Sequence, residues 1–309
     1  MPKPKKKLAS VEYPPFSRKI VANMTADAFH ETPHAGSNYE PDVTEFWQLY
    51  QSLRKSEPDW AGITVNSLML GLVAEGLKAC PKMNGHSTFS IRSAHGKVKL
   101  YDSIDITMPV VLPEGGMMAV KVPGCESKNL REIQHTVEDI LRRLDNTFLD
   151  YPLFWLGLRD TLLKLKKGRF DILFRRVFHN FVGPSRMIYL WGKTREYNKI
   201  PKEDRMLWHD FEQGTVMVTN LGSVYRGAYA PPVMIDLVPP QIAVVGIAAA
   251  VERPGVVTLP DGSKSLAPRM FIPFHIIFDH RAIDYADTVP FMKRLDEIFA
   301  NPEQIKAWV

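Results

Sequence analysis

The run Phe274-His275-Ile276-Ile277-Phe278-Asp279-His280-Arg281-Ala282-Ile283-Asp284 is apolar up to a histidine and places an aspartate four residues beyond it. An imidazole titrates near pH 6.5, so a neutral His280 at the end of a buried strand is suited to take a proton from a thiol or hydroxyl, at about the pKa where such transfer is efficient. Asp284 is spaced to steady the turn. Taken alone, HxxxD is a weak pattern in a chain with nine histidines, and a strand-end histidine often does no more than satisfy a hydrogen bond. The residues after Asp284 strengthen the chemical reading. Asp287 or Thr288 is placed to cap a helix, Pro290 fits its first turn, and Phe291, Leu295 and Ile298 recur at i, i+4 and i+7 before Asn301-Pro302 ends it. Strand, tight turn and packed helix then hold the imidazole on rigid elements. His275 lies five positions before His280, which on a strand turns the two rings to opposite faces, so no metal site is expected from them.

Upstream, helical and extended patterns alternate. A helix is expected over 42–55, then an apolar one over 66–79 ringed by Leu68, Leu70, Leu72, Val73 and Leu77 and stopped by Pro81 and Asn84-Gly85. Strands are expected over 87–91, 98–101, 104–112 and 117–122, the last two joined by Pro113-Glu114-Gly115-Gly116, followed by a polar-rich helix over 128–145. Strands over 215–220, 242–251 and 270–278 complete a mixed α/β chain. With 309 residues, 45% of them hydrophobic, a sizeable core is available. Cys80 and Cys125 are too few for a disulfide framework, lack metal-ligand spacing and read as packing residues in a reducing, cytoplasmic setting. Residues 1–16 read as a basic flexible tail, since the lysines after Met1 lead into mixed polar residues and not into the apolar core of a signal peptide. The longest apolar runs, such as 243–251, are too short to span a bilayer. GxSxG, P-loop and GxGxxG signatures are missing, which sets aside serine-hydrolase, NTPase and dinucleotide readings. Nucleic acid is not expected as a partner, because the basic excess lies in one segment and a tail without an organising motif.

Asp279-His280-Arg281-Ala282-Ile283-Asp284 resembles the D-H-R-x-x-D-G strand end of the dihydrolipoyl acyltransferases, the acyltransferase components of 2-oxoacid dehydrogenase complexes, with Tyr285 in place of the glycine. Gly214-Thr215-Val216-Met217-Val218-Thr219-Asn220-Leu221-Gly222 is similar to a second family strand, and Pro239-Pro240-Gln241-Ile242-Ala243-Val244-Val245-Gly246 to a third segment. Ser17 to Met24, Thr32-Pro33-His34, Ile63-Thr64-Val65 and Leu77 to Asn84 agree more loosely, in the same order. The resemblance implies a chloramphenicol acetyltransferase-like two-layer α/β sandwich with a mixed sheet over 17–309. It implies acyl transfer on coenzyme A, used as a thioester substrate, with His280 as general base and a hydroxyl or amide at Thr219 or Asn220 as oxyanion donor. It also implies that Asp284 is mainly structural and pairs with Arg18, and that the protein is a homotrimer, or a higher assembly of trimers, with sites shared between subunits. No lipoyl domain stands before residue 17, so the expectation is a stand-alone acyltransferase with no covalent lipoyl group of its own. Glycine at 285 would permit a positive φ or a close approach of substrate, and a tyrosine there narrows or reshapes the pocket.

Between about 146 and 210 the resemblance lapses in a helical insertion. Leu158, Leu162 and Leu165 share one helical face, and Phe170, Leu173, Phe174, Val177, Phe178 and Phe181 follow helical spacing after Gly168. From Arg159 to Arg176 seven basic residues stand against Asp160 and Asp171, a net +5, as large as the formal charge of the whole chain. Such a segment suits an anionic membrane surface or an acidic partner, giving a protein peripheral at a membrane, and equally suits a packed helical pair with a solvated basic face. The alternative function is therefore a trimeric scaffold that has lost activity and binds through this insertion.

Overall fold

A computed structural model describes residues 7–13, 16–90, 93–112, 117–166, 168, 170, 190–225 and 234–309. The chain divides into two compact units, one formed by Met1–Met24 with Arg143–His209, the other by Thr25–Arg142 with Asp210–Val309. The apolar repeat expected after Gly168, the basic residues Arg175 and Arg176, and the loop at 113–116 lie outside the described residues.

The second unit is built on a six-stranded sheet in the order β1 (His34–Tyr39), β10 (Phe274–Asp279), β7 (Ala243–Ile247), β6 (Val216–Asn220), β4 (Ile106–Val111), β5 (Met117–Val122). β4, β6 and β7 run parallel and the remaining neighbours antiparallel, so the sheet is mixed as expected. β7 and β10 are buried along their whole length, which is why they read as continuous apolar runs and not as alternations. One face packs on helices: Phe274 of β10 lies 6.3 Å from Phe299 of the last long helix, α7 (Tyr285–Ala300). Behind it sit α2 (Thr44–Ser56) and α3 (Val65–Ala79), with Phe46 against Phe299 at 5.1 Å. α3 is buried on most sides, and its Gly76 lets the ring of Phe291 lie within 2.5 Å of where a Cβ would stand. Its start is set by Thr64, whose hydroxyl accepts from the Ser67 amide at 3.2 Å. α4 (Leu130–Asp145) completes this part of the fold.

Three details differ from the pattern-based expectation. The apolar stretch 242–251 is two elements, because β7 ends at Ile247 and a new strand, β8 (Val251–Thr258), pairs with β9 (Lys264–Phe271) in a separate hairpin. Likewise 270–278 divides at Ile272-Pro273, where proline has no amide for a ladder and its carbonyl accepts from Ala248 at 2.9 Å. The helix after the histidine is capped by Asp284, three residues earlier than expected; Asp287 stands at the third position with its carboxylate accepting from the Asp284 amide at 3.0 Å, and Pro290 lies inside the helix. A second hairpin, β2 (Gly85–Ser90) with β3 (His95–Leu100), projects mostly exposed residues.

In the first unit, α5 (Asp150–Lys166) buries Pro152, Leu153 and Thr161. α6 (Leu190–Lys199) carries Tyr197, whose hydroxyl donates to the Met206 carbonyl at 2.7 Å and whose ring lies 4.2 Å from the Arg205 guanidinium. α1 (Phe16–Glu31) begins in this unit and ends in the other. Among the described residues no helix is long and apolar enough to cross a membrane.

Candidate active site

His280 follows the last residue of β10, and Asp284 opens α7, so strand end and helix start bring the two side chains together: Nδ1 lies 3.1 Å from the Asp284 Oδ1. An Nδ1–H donating to that carboxylate would leave the Nε2 lone pair able to accept a proton, and 55% of the His280 side-chain surface is exposed. A carboxylate so placed can orient the ring. Arg18, the expected partner of Asp284, is exposed on α1 in the first unit.

Pattern reading did not assign a role to the neighbours of the base. Asp279 is 1% exposed, and its carboxylate accepts two parallel bonds from Arg281, Nε to Oδ1 and Nη2 to Oδ2, both at 2.9 Å. Tyr285, exposed at 54%, begins α7 without a positive φ. Tyrosine is therefore unstrained where relatives carry glycine.

Thr219 and Asn220 end β6, and alternation sends them to opposite faces. Asn220 pairs with Ile247, which pairs with Phe274, placing it on the helix-covered face. Thr219, 8% exposed, pairs with Gly246, which pairs with His275, on the other face. That face also holds His275, whose Nδ1 is 2.6 Å from Asn38 Oδ1, and a cleft of about 270 Å³ lined by His34, Gly36, Asn38, Met234 and Ile277. Burial holds His275 below the usual histidine range, so it is a neutral, packed ring and not a second base. The two thiols are equally inert: burial raises both, Cys125 to about 12. Among the described residues no cluster of His, Cys, Asp or Glu is arranged to hold a metal.

The same register separates His280 from Thr219. Thr219 lies level with His275, and His280 is five residues further along β10. At about 3.4 Å per residue and about 4.8 Å per strand spacing, the two backbones are roughly 19 Å apart in one chain. A single carbonyl group cannot reach both.

The sequence matches the model of the catalytic domain of the 2-oxoacid dehydrogenase acyltransferases over residues 5–151 and 184–307. The chain belongs to that family. The unmatched stretch between those ranges falls inside the expected insertion and is narrower than it. A dihydrolipoyllysine-residue acetyltransferase component of the pyruvate dehydrogenase complex from Haemophilus influenzae is 29% identical over 125 residues, covering 40% of this chain and 20% of that protein. The corresponding component from Mycobacterium bovis is 41% identical over 80 residues, 26% of this chain and 14% of that protein. The chain thus aligns with a minor part of these relatives' length. Among solved structures, a probable dihydrolipoamide acetyltransferase from Listeria monocytogenes matches with a TM-score of 0.59 at 19% identity, over 97% of this chain and 95% of that one. An Azotobacter vinelandii dihydrolipoamide acetyltransferase matches with a TM-score of 0.58 at 19% identity over 98% of both; its catalytic mechanism has been probed at a serine, a histidine and an asparagine four residues after the histidine. These likenesses show that the acyltransferase members share this fold.

Proposed function

We propose that this chain transfers acyl groups between coenzyme A and a thiol or similar nucleophile, with His280 as general base. The observation that carries the reading is the His280–Asp284 pair, formed on the segment that matches the family's histidine motif, with more than half of the His280 side chain exposed. In the forward step Nε2 removes the proton from the attacking thiol, and the thiolate adds to the thioester carbonyl. The tetrahedral oxyanion accepts a hydrogen bond from the Thr219 hydroxyl, on the face of the sheet not covered by helices. Collapse of this adduct expels the second thiolate, which regains the proton from the imidazolium while Asp284 keeps the ring oriented. Asn220 is the weaker candidate for the oxyanion, because it faces the helices.

Since one chain holds His280 and Thr219 roughly 19 Å apart, the reading requires a second copy to supply the facing wall. A homotrimer, in keeping with relatives that form the core of multienzyme complexes, meets that need. The direct test is acetyl transfer from acetyl-coenzyme A to dihydrolipoamide by the wild-type protein and by His280→Ala. Loss of about 10²- to 10⁴-fold in kcat is expected; unchanged turnover removes His280 from the mechanism.

A second reading rests on α5, whose Trp155, Leu158 and Leu162 are exposed at 45%, 38% and 52% beside Arg159, Lys164 and Lys166. An anionic membrane surface suits such a face. Co-sedimentation with phosphatidylserine vesicles, absent with phosphatidylcholine alone and lost in high salt, is the outcome that supports it; equal binding to both vesicles, or to neither, removes it.

A further inference from the structure

Three consecutive residues of the junction between α1 and β1 meet His280 and the arginine that follows it. The Glu31 carbonyl accepts from Arg281 Nη1, the Thr32 hydroxyl lies 3.2 Å from Arg281 Nη2, and the Pro33 carbonyl accepts the His280 amide at 3.1 Å. Arg281 also holds both oxygens of Asp279, and its own amide donates to Asp279 Oδ1 at 3.0 Å. The Asp279 amide in turn donates to Ile242 of β7 at 2.9 Å, and its carbonyl receives the amides of Ala282 and Ile283. Thr32 is 4% exposed and Asp279 1%, so the fork from Arg281 to Asp279 and Thr32 is largely shielded and of fixed geometry, while the bond to Glu31 lies at the surface.

We infer that Arg281, clamped between Asp279 and the Glu31–Thr32 edge, is a positioning residue for acyl transfer: it sets the direction in which the His280 ring leaves the strand. The motif Thr32-Pro33-His34 thereby gains a role, as the fixed side of the clamp. A planar guanidinium is needed because four acceptors lie around it; a lysine ammonium reaches fewer of them and in no fixed plane. His280 lies edge-on to Phe278 with ring centroids 6.0 Å apart and keeps 55% of its side-chain surface exposed, so its aim depends largely on the backbone that carries it.

This inference rests on His280 being the base, and the experiment separates the two. Thr32→Val removes one acceptor with little change of volume; Arg281→Lys keeps the charge; Asp279→Asn with Arg281→Gln removes both charges and leaves no buried ion unpaired. Acetyl transfer to dihydrolipoamide is measured with melting temperature, KM, and the fraction of Nδ1-protonated His280 from ¹⁵N spectra. The clamp predicts kcat lower by about ten- to a hundredfold in Arg281→Lys and the double variant, and lower by a smaller factor in Thr32→Val, with KM little changed. The Nδ1-protonated fraction should fall in parallel. Wild-type kcat in all three, or losses that follow melting temperature with an unaltered tautomer, overturn the positioning role. An active His280→Ala protein overturns instead the reading on which it rests.

Discussion

At the residue scale, the contact between His280 and Asp284 gives distinct expectations for two substitutions. Asp284→Asn keeps an oxygen for Nδ1–H and caps α7 about as well, while losing the charge that stabilises the imidazolium; kcat should fall by roughly tenfold with the melting temperature unchanged. Asp284→Ala loses both functions and should also cost about 1 kcal/mol of stability through the lost cap, read by denaturant titration. Equal stability of the Asn and Ala variants would show that the cap is carried by other groups. Tyr285, unstrained and exposed beside this pair, should limit the acyl group: Tyr285→Gly is expected to improve turnover of longer acyl-coenzyme A relative to acetyl, seen as a changed kcat/KM ratio. The meeting of His280 and Asp284 was legible because a strand-end histidine with an aspartate four residues on brings the two side chains across one turn. Arg281 and Asp279 were written beside them yet gave no signal as a clamp, because their partners Glu31 and Thr32 are distant in sequence and only the pairing of β1 with β10 brings them together.

At the element scale, the strands that carry the motifs are fixed by contacts that periodicity does not encode. Gly214 precedes β6, and a Cβ there would stand 2.1 Å from the Asp105 carbonyl, a backbone atom that cannot swing aside. Gly214→Ala should therefore destabilise by about 1–3 kcal/mol or more and lower activity through Thr219, measured by urea unfolding with the kinetics. The β8–β9 hairpin is anchored through Arg269, which lies 2.6 Å from Asp42 and 2.9 Å from Glu45. Burial alone would raise the Asp42 carboxyl, yet hydrogen bonds from Arg269 and Thr44 hold it below the ordinary carboxylate range. A carboxyl depressed in the folded state adds stability above its unfolded pKa, near 3.9, and that stability is lost as pH falls through the folded value. Wild type should lose melting temperature on acidification below about pH 4 more steeply than Arg269→Gln, in which only the Thr44 hydrogen bonds still hold the carboxyl down; parallel curves would deny the pair any role. The helices α2, α3 and α4 were legible, whereas α1 and β1 gave no pattern that was read. The boundaries that failed lie where tertiary contacts override a continuous apolar run: β7 and β8 read as one strand because nothing local marks Ile247 as an end, and the hairpin partner β9 is polar along its first half.

At the scale of the whole molecule, the sheet register is what makes assembly part of the chemistry. In one copy His280 and Thr219 stand at opposite ends of β10 and β6, with β7 between them, roughly 19 Å apart, so under the proposed mechanism each copy offers two half-sites that cannot meet. In the proposed homotrimer the half-site bearing His280 on one copy would face the half-site bearing Thr219 on the next, and the number of complete sites would equal the number of subunits. This arrangement has a consequence that a site within one chain lacks. His280→Ala and Thr219→Ala proteins should each be nearly inactive, the second by about 10²- to 10³-fold. Unfolded together in equal amounts and refolded, they should form mixed trimers in which a site is intact wherever a subunit retaining His280 precedes one retaining Thr219. Random mixing makes about a quarter of the sites whole, so activity should return to about a quarter of wild type. Light scattering must show a trimer, or a multiple of one, throughout. If the mixture stays as inactive as either parent although mixed trimers are demonstrated by tags, both groups act within one chain or Thr219 is not the oxyanion donor. Asn220→Ala mixed with His280→Ala distinguishes these, since Asn220 faces the helices and its loss should leave the separate protein active and nothing to complement.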